Sequence, residues 1–326
     1  MIPSSTPRSR KIIMAIILLI ALGAAIFLLT GCKGSTKAGN QTVSGPSKLL
    51  DSAWLINNLA FLASNETAGR ESGTPGNMLA QAFILNKFDS LRLTKPGDSY
   101  LQAFRLRSDT TRMGHNVIGI IKGTRYPDSY IVISAHYDHL GTRNGNIYYG
   151  ADDNASGTAN LLALAQYFAK NLPQHSLILA AFDAEEKGLL GSRFFVDNLP
   201  VPQSSIIMNV NMDMISRNDN NEIYACGTYH YPYLKKYVDS VQAVSAVSIR
   251  IGHDDPSKGS MQDWTAQSDH YPFHLKKIPF LYFGVEDHAD YHKPGDTFDK
   301  INKSFYYQTC SMIANMVKLL DRQEKL

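Results

Sequence analysis

The stretches YIVISAHYD (Tyr130–Asp138) and LILAAFDAEE (Leu177–Glu186) decide the fold. Each is a short apolar run that ends abruptly in histidine or carboxylate residues. IIMNVNM (Ile206–Met212) and IPFLYF (Ile278–Phe283) have the same character, and NVIGII (Asn116–Ile121) reads as a further strand. Runs this short and this continuously apolar suit strands buried on both faces of a parallel or mixed sheet. Helical periodicity covers Leu49–Ala63, Asn77–Leu91 and Asn154–Lys170, the last with Leu161, Leu162, Leu164, Ala165 and Phe168 on one side. Gly69–Gly76 is loop punctuation between the first two. Strands alternating with helices predict an α/β chain. It should form one three-layer domain over residues 48–326, its mixed, mostly parallel central sheet covered by helices.

The 326 residues are 44% hydrophobic and 19% charged, which supports a large core and excludes a disordered chain. The net charge of +3 is concentrated at the start: Arg8, Arg10 and Lys11 precede the first apolar run, and no acidic residue occurs before Asp51. Removing residues 1–31 leaves basic and acidic residues equal in number, so no electrostatic case exists for nucleic acid as a partner. The apolar run Ile12–Leu29 behind a basic start reads as an export signal or an N-terminal anchor. Leu29-Thr30-Gly31-Cys32 resembles the lipobox of bacterial lipoproteins, which implies cleavage before Cys32 and lipid on that residue. Residues 1–31 are then a lipoprotein signal peptide, and 32–47, rich in Gly, Ser and Thr, a flexible tether. The expected location is outside the cytoplasm, held to a membrane on its periplasmic or cell-surface side. Cys226 and Cys310 remain, either as a disulfide or as free buried thiols.

Chemistry-bearing residues gather where the strands end. His136 and Asp138 follow the first run, Asp183, Glu185 and Glu186 the second, Asp213 the third, and Glu286, Asp287, His288, Asp290 and His292 the last. Asp152 and Asp153 lie in the loop entering the Leu161 helix. In open α/β sheets the ligand crevice lies outside the carboxyl ends of the strands, so these segments should converge there. So many carboxylates repel one another unless a divalent cation joins them. Histidine and carboxylate donors without cysteine suit zinc, with manganese or cobalt as alternatives. The candidates exceed what one catalytic ion takes, which points to two ions sharing a carboxylate.

Five segments carry a resemblance to a known family. They are His136-Tyr137-Asp138, Gly150–Gly157 (GADDNASG), Asp183–Ser192 (DAEEKGLLGS), Asn211–Met214 (NMDM) and Tyr291–Thr297 (YHKPGDT). Together they resemble the dizinc aminopeptidases of peptidase family M28, zinc exopeptidases related to bacterial leucyl aminopeptidases. Gly69-Arg70 with Gly73–Gly76 resembles that family's N-terminal loop. The resemblance implies a bridging Asp152, with His136 and Asp213 completing one zinc site and Glu186 and His292 the other. It implies Asp138 behind the ring of His136, Glu185 as general base, and a cis peptide involving Asp153 after the bridging residue. The implied activity is hydrolysis of N-terminal peptide bonds, with peptides bearing a free amino terminus as substrates.

The same residues admit other readings. A glutaminyl-peptide cyclotransferase of the same fold keeps a single zinc, and both His136 and Asp213 argue for a complete pair. Carboxypeptidase-type amidohydrolases usually bring extra domains, and a non-catalytic binding module would have lost ligands. His139 is expected in a structural or surface role, and His288 outside the ligand set. Ser268-Asp269-His270 is expected to support the site rather than form a nucleophilic triad, since no G-x-S-x-G occurs. Trp264 reads as packing or a pocket wall. The sequence leaves oligomeric state open.

Overall fold

In the computed structural model, residues 49–107, 111–259 and 261–326 are described; the signal segment, Cys32 and the whole tether lie outside them. Apart from the short hairpin Thr142–Arg143 with Asn146–Ile147, the strands are β1 (Leu101–Arg105), β2 (Met113–Ile121), β3 (Tyr126–His136), β4 (His175–Phe182), β5 (Ile206–Met212), β6 (Glu222–Cys226), β7 (Ser248–Ile251) and β8 (Phe280–Gly284). They form one 8-stranded sheet in the order β1-β2-β4-β3-β5-β8-β6-β7. The centre, β4-β3-β5-β8, is parallel, whereas β2 joins β4 and β6 joins β8 antiparallel. The helices are α1 (Ser52–Leu62), α2 (Pro75–Ser90), α3 (Gly157–Lys170), α4 (Leu190–Asp197), α5 (Lys235–Gln242), α6 (His270–Leu275) and α7 (Lys303–Asp321).

The continuous apolar runs are explained by two separate cores. Along β3, Ile131, Ile133 and Ala135 enter the core shared with α1, α2, α3 and α7, while Tyr130 and Val132 enter the core under α4 and α6. Along β4, Leu177, Leu179 and Ala181 face the first, and Ile178, Ala180 and Phe182 the second. Successive strand residues point to opposite faces, so a strand covered on both sides has no polar alternation. Among the described residues no helix is long and apolar enough to cross a membrane. Cys226 and Cys310 are free, buried thiols, which settles the alternative left open by the sequence.

Helix starts follow local chemistry. The Asp51 carboxylate accepts from the backbone N–H groups of Ala53 and Trp54 at the start of α1, and Thr74 caps α2 ahead of Pro75. The helix expected from Asn154 starts regularly only at Gly157, because residues 151–156 form a wider turn in which Asp153 and Asn154 leave helical geometry.

Arg70 ties the N-terminal loop beneath the sheet's carboxyl edge. Its side chain is fully buried and donates to the carbonyls of Tyr137 (2.8 Å), Tyr149 (2.7 Å) and Gly150 (2.9 Å), and also to that of Leu62. Burial lowers its pKa to about 10, still cationic at neutral pH, with Asp153, Asp138 and Asp296 opposing the shift. Arg70→Ala strands four buried carbonyls and removes the cation facing those carboxylates. It should lower stability by about 3–5 kcal/mol, read from urea unfolding midpoints; a loss under 1 kcal/mol would show that the loop holds without it.

Candidate metal centre

Each site residue is delivered by a parallel strand or the loop beyond it. His136 is the last residue of β3 and Asp213 follows β5, its N–H donating to the carbonyl of Phe283 on β8. Beyond β4 the chain turns at Ala184, in the left-handed region at φ 60°, and presents Glu185 and Glu186. The Asp138 carboxylate holds this turn, accepting from the N–H groups of Glu185 (3.1 Å) and Glu186 (3.4 Å). The expected bond from Asp138 to the His136 ring is weaker than its grip on that turn: Nδ1 lies 3.7 Å from the carboxylate and 3.2 Å from the Asp138 carbonyl. Asp183, which had no assigned role, accepts from Ser72 Oγ (2.8 Å), Asn77 Nδ2 (3.0 Å) and the His115 N–H (2.9 Å), tying β4 to the N-terminal loop. Burial, with Asp138 adding repulsion, pushes its carboxyl up to about 7.

Two donor groups meet at one carboxylate. His136, Asp153 and Asp213 form one, and His139, Asp153 and Glu186 the other, with ligand atoms in each group within 4.8 Å of one another. His136 Nε2 lies 3.2 Å from Asp213 Oδ1 and 3.4 Å from Asp153 Oδ1. His292 Nε2 lies 3.1 Å from Asp153 Oδ2 and 3.3 Å from Glu186 Oε2. Donor atoms about 2.0–2.1 Å from a tetrahedral zinc stand about 3.3 Å apart, so these spacings fit a shared ion. His139 Nδ1 is closer, 2.7 Å from Glu186 Oε1, the distance of a direct hydrogen bond. His139 is therefore not a surface residue: it is buried and fixes the face of Glu186 opposite His292.

The shared carboxylate belongs to Asp153, not to Asp152 as expected. The loop is displaced by one residue relative to that expectation, and the cis peptide is Asp153–Asn154. Asp152 points away from the crevice. Its Oδ1 accepts from the Ser216 N–H and hydroxyl, both at 2.7 Å, and its Oδ2 lies 3.3 Å from His288 Nε2. Asp296 fixes the turn by accepting from the N–H groups of Asp152 (3.0 Å) and Asp153 (3.0 Å). Gly150 is required here: at φ +55°, a Cβ would lie 2.1 Å from the Asp153 carbonyl oxygen and 2.6 Å from the His139 ring. Ser268 supports the site as expected, donating to Asp213 Oδ2 at 2.8 Å.

Burial, mutual repulsion and hydrogen bonds from imidazoles set the electrostatics of these carboxylates. Burial raises the Glu185 carboxyl well above its usual range; His136 opposes this, and Asp213, Asp269 and Glu186 add to it. Burial also pushes Glu186 up, but hydrogen bonds from His139 and His292 outweigh it and leave the net shift downward. His292, despite the loss of hydration, is pushed up to about 10 by Asp153 and Glu186. A divalent cation would neutralise these carboxylates, and the donor set fits zinc.

Residues 116–317 match the model of peptidase family M28. The chain belongs to that family. Among its relatives, aminopeptidase YwaD of Bacillus subtilis (strain 168) is 28% identical over 256 residues, covering 74% of this chain and 51% of YwaD. The chain thus spans about half the length of that curated relative. The fold is shared with a zinc aminopeptidase from Bacillus subtilis, at TM-score 0.66 and 18% identity over 83% of this chain and 95% of that one. It is shared as well with glutaminyl cyclase from Porphyromonas gingivalis, at TM-score 0.68 and 16% identity over 84% of this chain and 100% of that one.

The exchange of Asp152 for Asp153 has a direct test. Asp153→Asn should lower zinc stoichiometry by at least one ion per chain, because it strips a donor from both groups. Asp152→Asn should keep the stoichiometry and weaken affinity about 10–100-fold, as expected for a residue that orients a ligand. Equilibrium dialysis with metal analysis reads both; the reverse pattern would restore Asp152 as the shared ligand.

Proposed function

We propose that this M28 chain is a metal-dependent aminopeptidase using two zinc ions, with peptides bearing a free amino terminus as substrates. The observation that carries the reading is the Asp153 carboxylate standing between two donor groups with Glu185 beside them. His136, Asp153 and Asp213 would hold one ion; Asp153, Glu186 and His292 would hold the other, with His139 orienting Glu186. Zinc held there supplies Lewis acidity, polarising a substrate carbonyl and lowering the pKa of water.

The chain's own residues supply the proton traffic. The Glu185 carboxylate accepts a proton from the attacking water as the carbon–oxygen bond forms. It returns that proton to the amide nitrogen as the carbon–nitrogen bond breaks, so the amine leaves neutral. A group that must both take and release a proton benefits from a pKa raised toward neutrality, and burial pushes Glu185 in that direction. Asp138 holds the Glu185 backbone in place, and the acidic crevice attracts a substrate's α-ammonium group. The presence of both His136 and Asp213 favours hydrolysis over a cyclase with a single zinc.

The protein is further read as a lipoprotein working outside the cytoplasm; the order of Arg8, Arg10 and Lys11, the apolar run and Cys32 supports this. Cys32→Ser should move the protein from the membrane to the soluble fraction, and continued membrane association would favour an uncleaved anchor. Glu185→Gln should retain bound zinc yet lower kcat on aminoacyl anilides about a hundred- to ten-thousand-fold. A variant that stays active would remove Glu185 from the reaction.

A further inference from the structure

A cleft of about 410 Å³ adjoins the metal centre, lined by His253, Met261, Gln262, Trp264, Glu286 and Asp287 among others. Its volume lies within the range of ligand pockets. Glu286 and Asp287 belong to the loop that runs from β8 to His292. Trp264, in the cleft wall, packs edge-on against Tyr282 at 6.1 Å, and the Tyr282 hydroxyl donates to the Asp213 carbonyl at 3.5 Å, so the cleft borders the metal centre.

The walls are firm where they are apolar. The rings of His253 and Trp264 stack at 3.8 Å and 4°, and the Trp264 backbone N–H donates to the His253 carbonyl at 2.7 Å. Met261, 90% exposed, adds a flexible thioether. The charged groups are acidic, apart from the His253 ring, whose Nε2 lies 3.2 Å from Glu286 Oε1. Arg217 and Lys300, which line the neighbouring cleft behind the same loop, both pair with Asp290 at 2.9 Å.

We infer that this cleft receives the first side chain of the substrate and selects for lysine and arginine. The inference rests on the aminopeptidase reading. A long basic side chain lays its methylene stem along Trp264 and Met261 and brings its charge to Asp287 and Glu286. An apolar side chain of equal length fills the same space without pairing the carboxylates, and an acidic one is repelled. Glu286 is largely exposed, so each pair is worth only about fivefold in affinity or rate.

The test compares lysyl, norleucyl and glutamyl 4-nitroanilides on the zinc-loaded full-length chain, norleucine keeping lysine's four-carbon chain without its ammonium. The ratio of kcat/KM for lysyl over norleucyl should exceed about fivefold, fall about fivefold in Asp287→Asn, and fall again at about 0.5 M salt. A ratio near one, or one that neither Asp287→Asn nor Glu286→Gln moves, overturns the inference. Calorimetry of lysinamide against norleucinamide, on wild type and on Asp287→Asn, reads the cleft without turnover. If no anilide is cleaved, the aminopeptidase reading falls; equal binding of the two amides overturns the cleft's selectivity on its own.

Discussion

The carboxylate of Asp153 is the point on which the site's architecture converges. Its two oxygens face different imidazoles, Oδ1 toward His136 and Oδ2 toward His292, at 3.4 and 3.1 Å. The sheet cannot aim such a group by itself, because Asp153 lies in a turn and not at a strand end. The surrounding loops do it instead. Asp296, four residues beyond His292, takes the N–H groups of the turn, and Ser216, three residues beyond Asp213, takes the Asp152 side chain. The segments that bring His292 and Asp213 to the crevice therefore also set the position of the carboxylate they share.

The crowding of acids has a structural consequence. Asp138, Asp152, Asp183 and Asp296 are fully buried and stand outside both donor groups; Asp138, Asp152 and Asp296 accept hydrogen bonds from loops that carry a ligand or the base, and Asp183 accepts from the N-terminal loop, α2 and β2. Ionised carboxylates are strong acceptors of backbone N–H groups, stronger than neutral side chains of the same size. Their mutual repulsion is offset by Arg70, by the imidazoles and, in the proposed holoenzyme, by the ions. The same negative charge both clamps the loops and makes the centre receptive to cations.

Much of this was legible in the sequence because it is written in strand ends. Abrupt changes from apolar runs to His136, Glu185, Glu186 and Asp213 mark the carboxyl edge of the sheet, and the placement of those residues follows from topology. His292 was legible only through its motif. What the sequence withheld depends on turns. Asp152 and Asp153 are adjacent and chemically identical, so only the path of the chain through 150–156 tells which one faces the crevice. His139 follows Asp138 by one residue and gives no periodic signal; its burial becomes visible only when Gly150 packs against its ring. The short strands β1, β6 and β7 lie toward the sheet's edges and lack the continuous apolar runs that mark the central ones.

This division of labour explains how one fold accommodates relatives named for different reactions. The ligand-bearing loops are locked to one another by buried hydrogen bonds, so a change in any of them disturbs several partners at once. The cleft beside them is different. Met261, Gln262 and Gln267 are exposed. Substitutions there alter what fits beside the centre without moving His136, Asp153 or Glu186. Loops free of the scaffold's constraints are where binding properties diverge. The fold alone is what a TM-score of 0.68 at 16% identity with a glutaminyl cyclase shows; the reaction is set by the side chains held at the carboxyl edge and by the walls beside them.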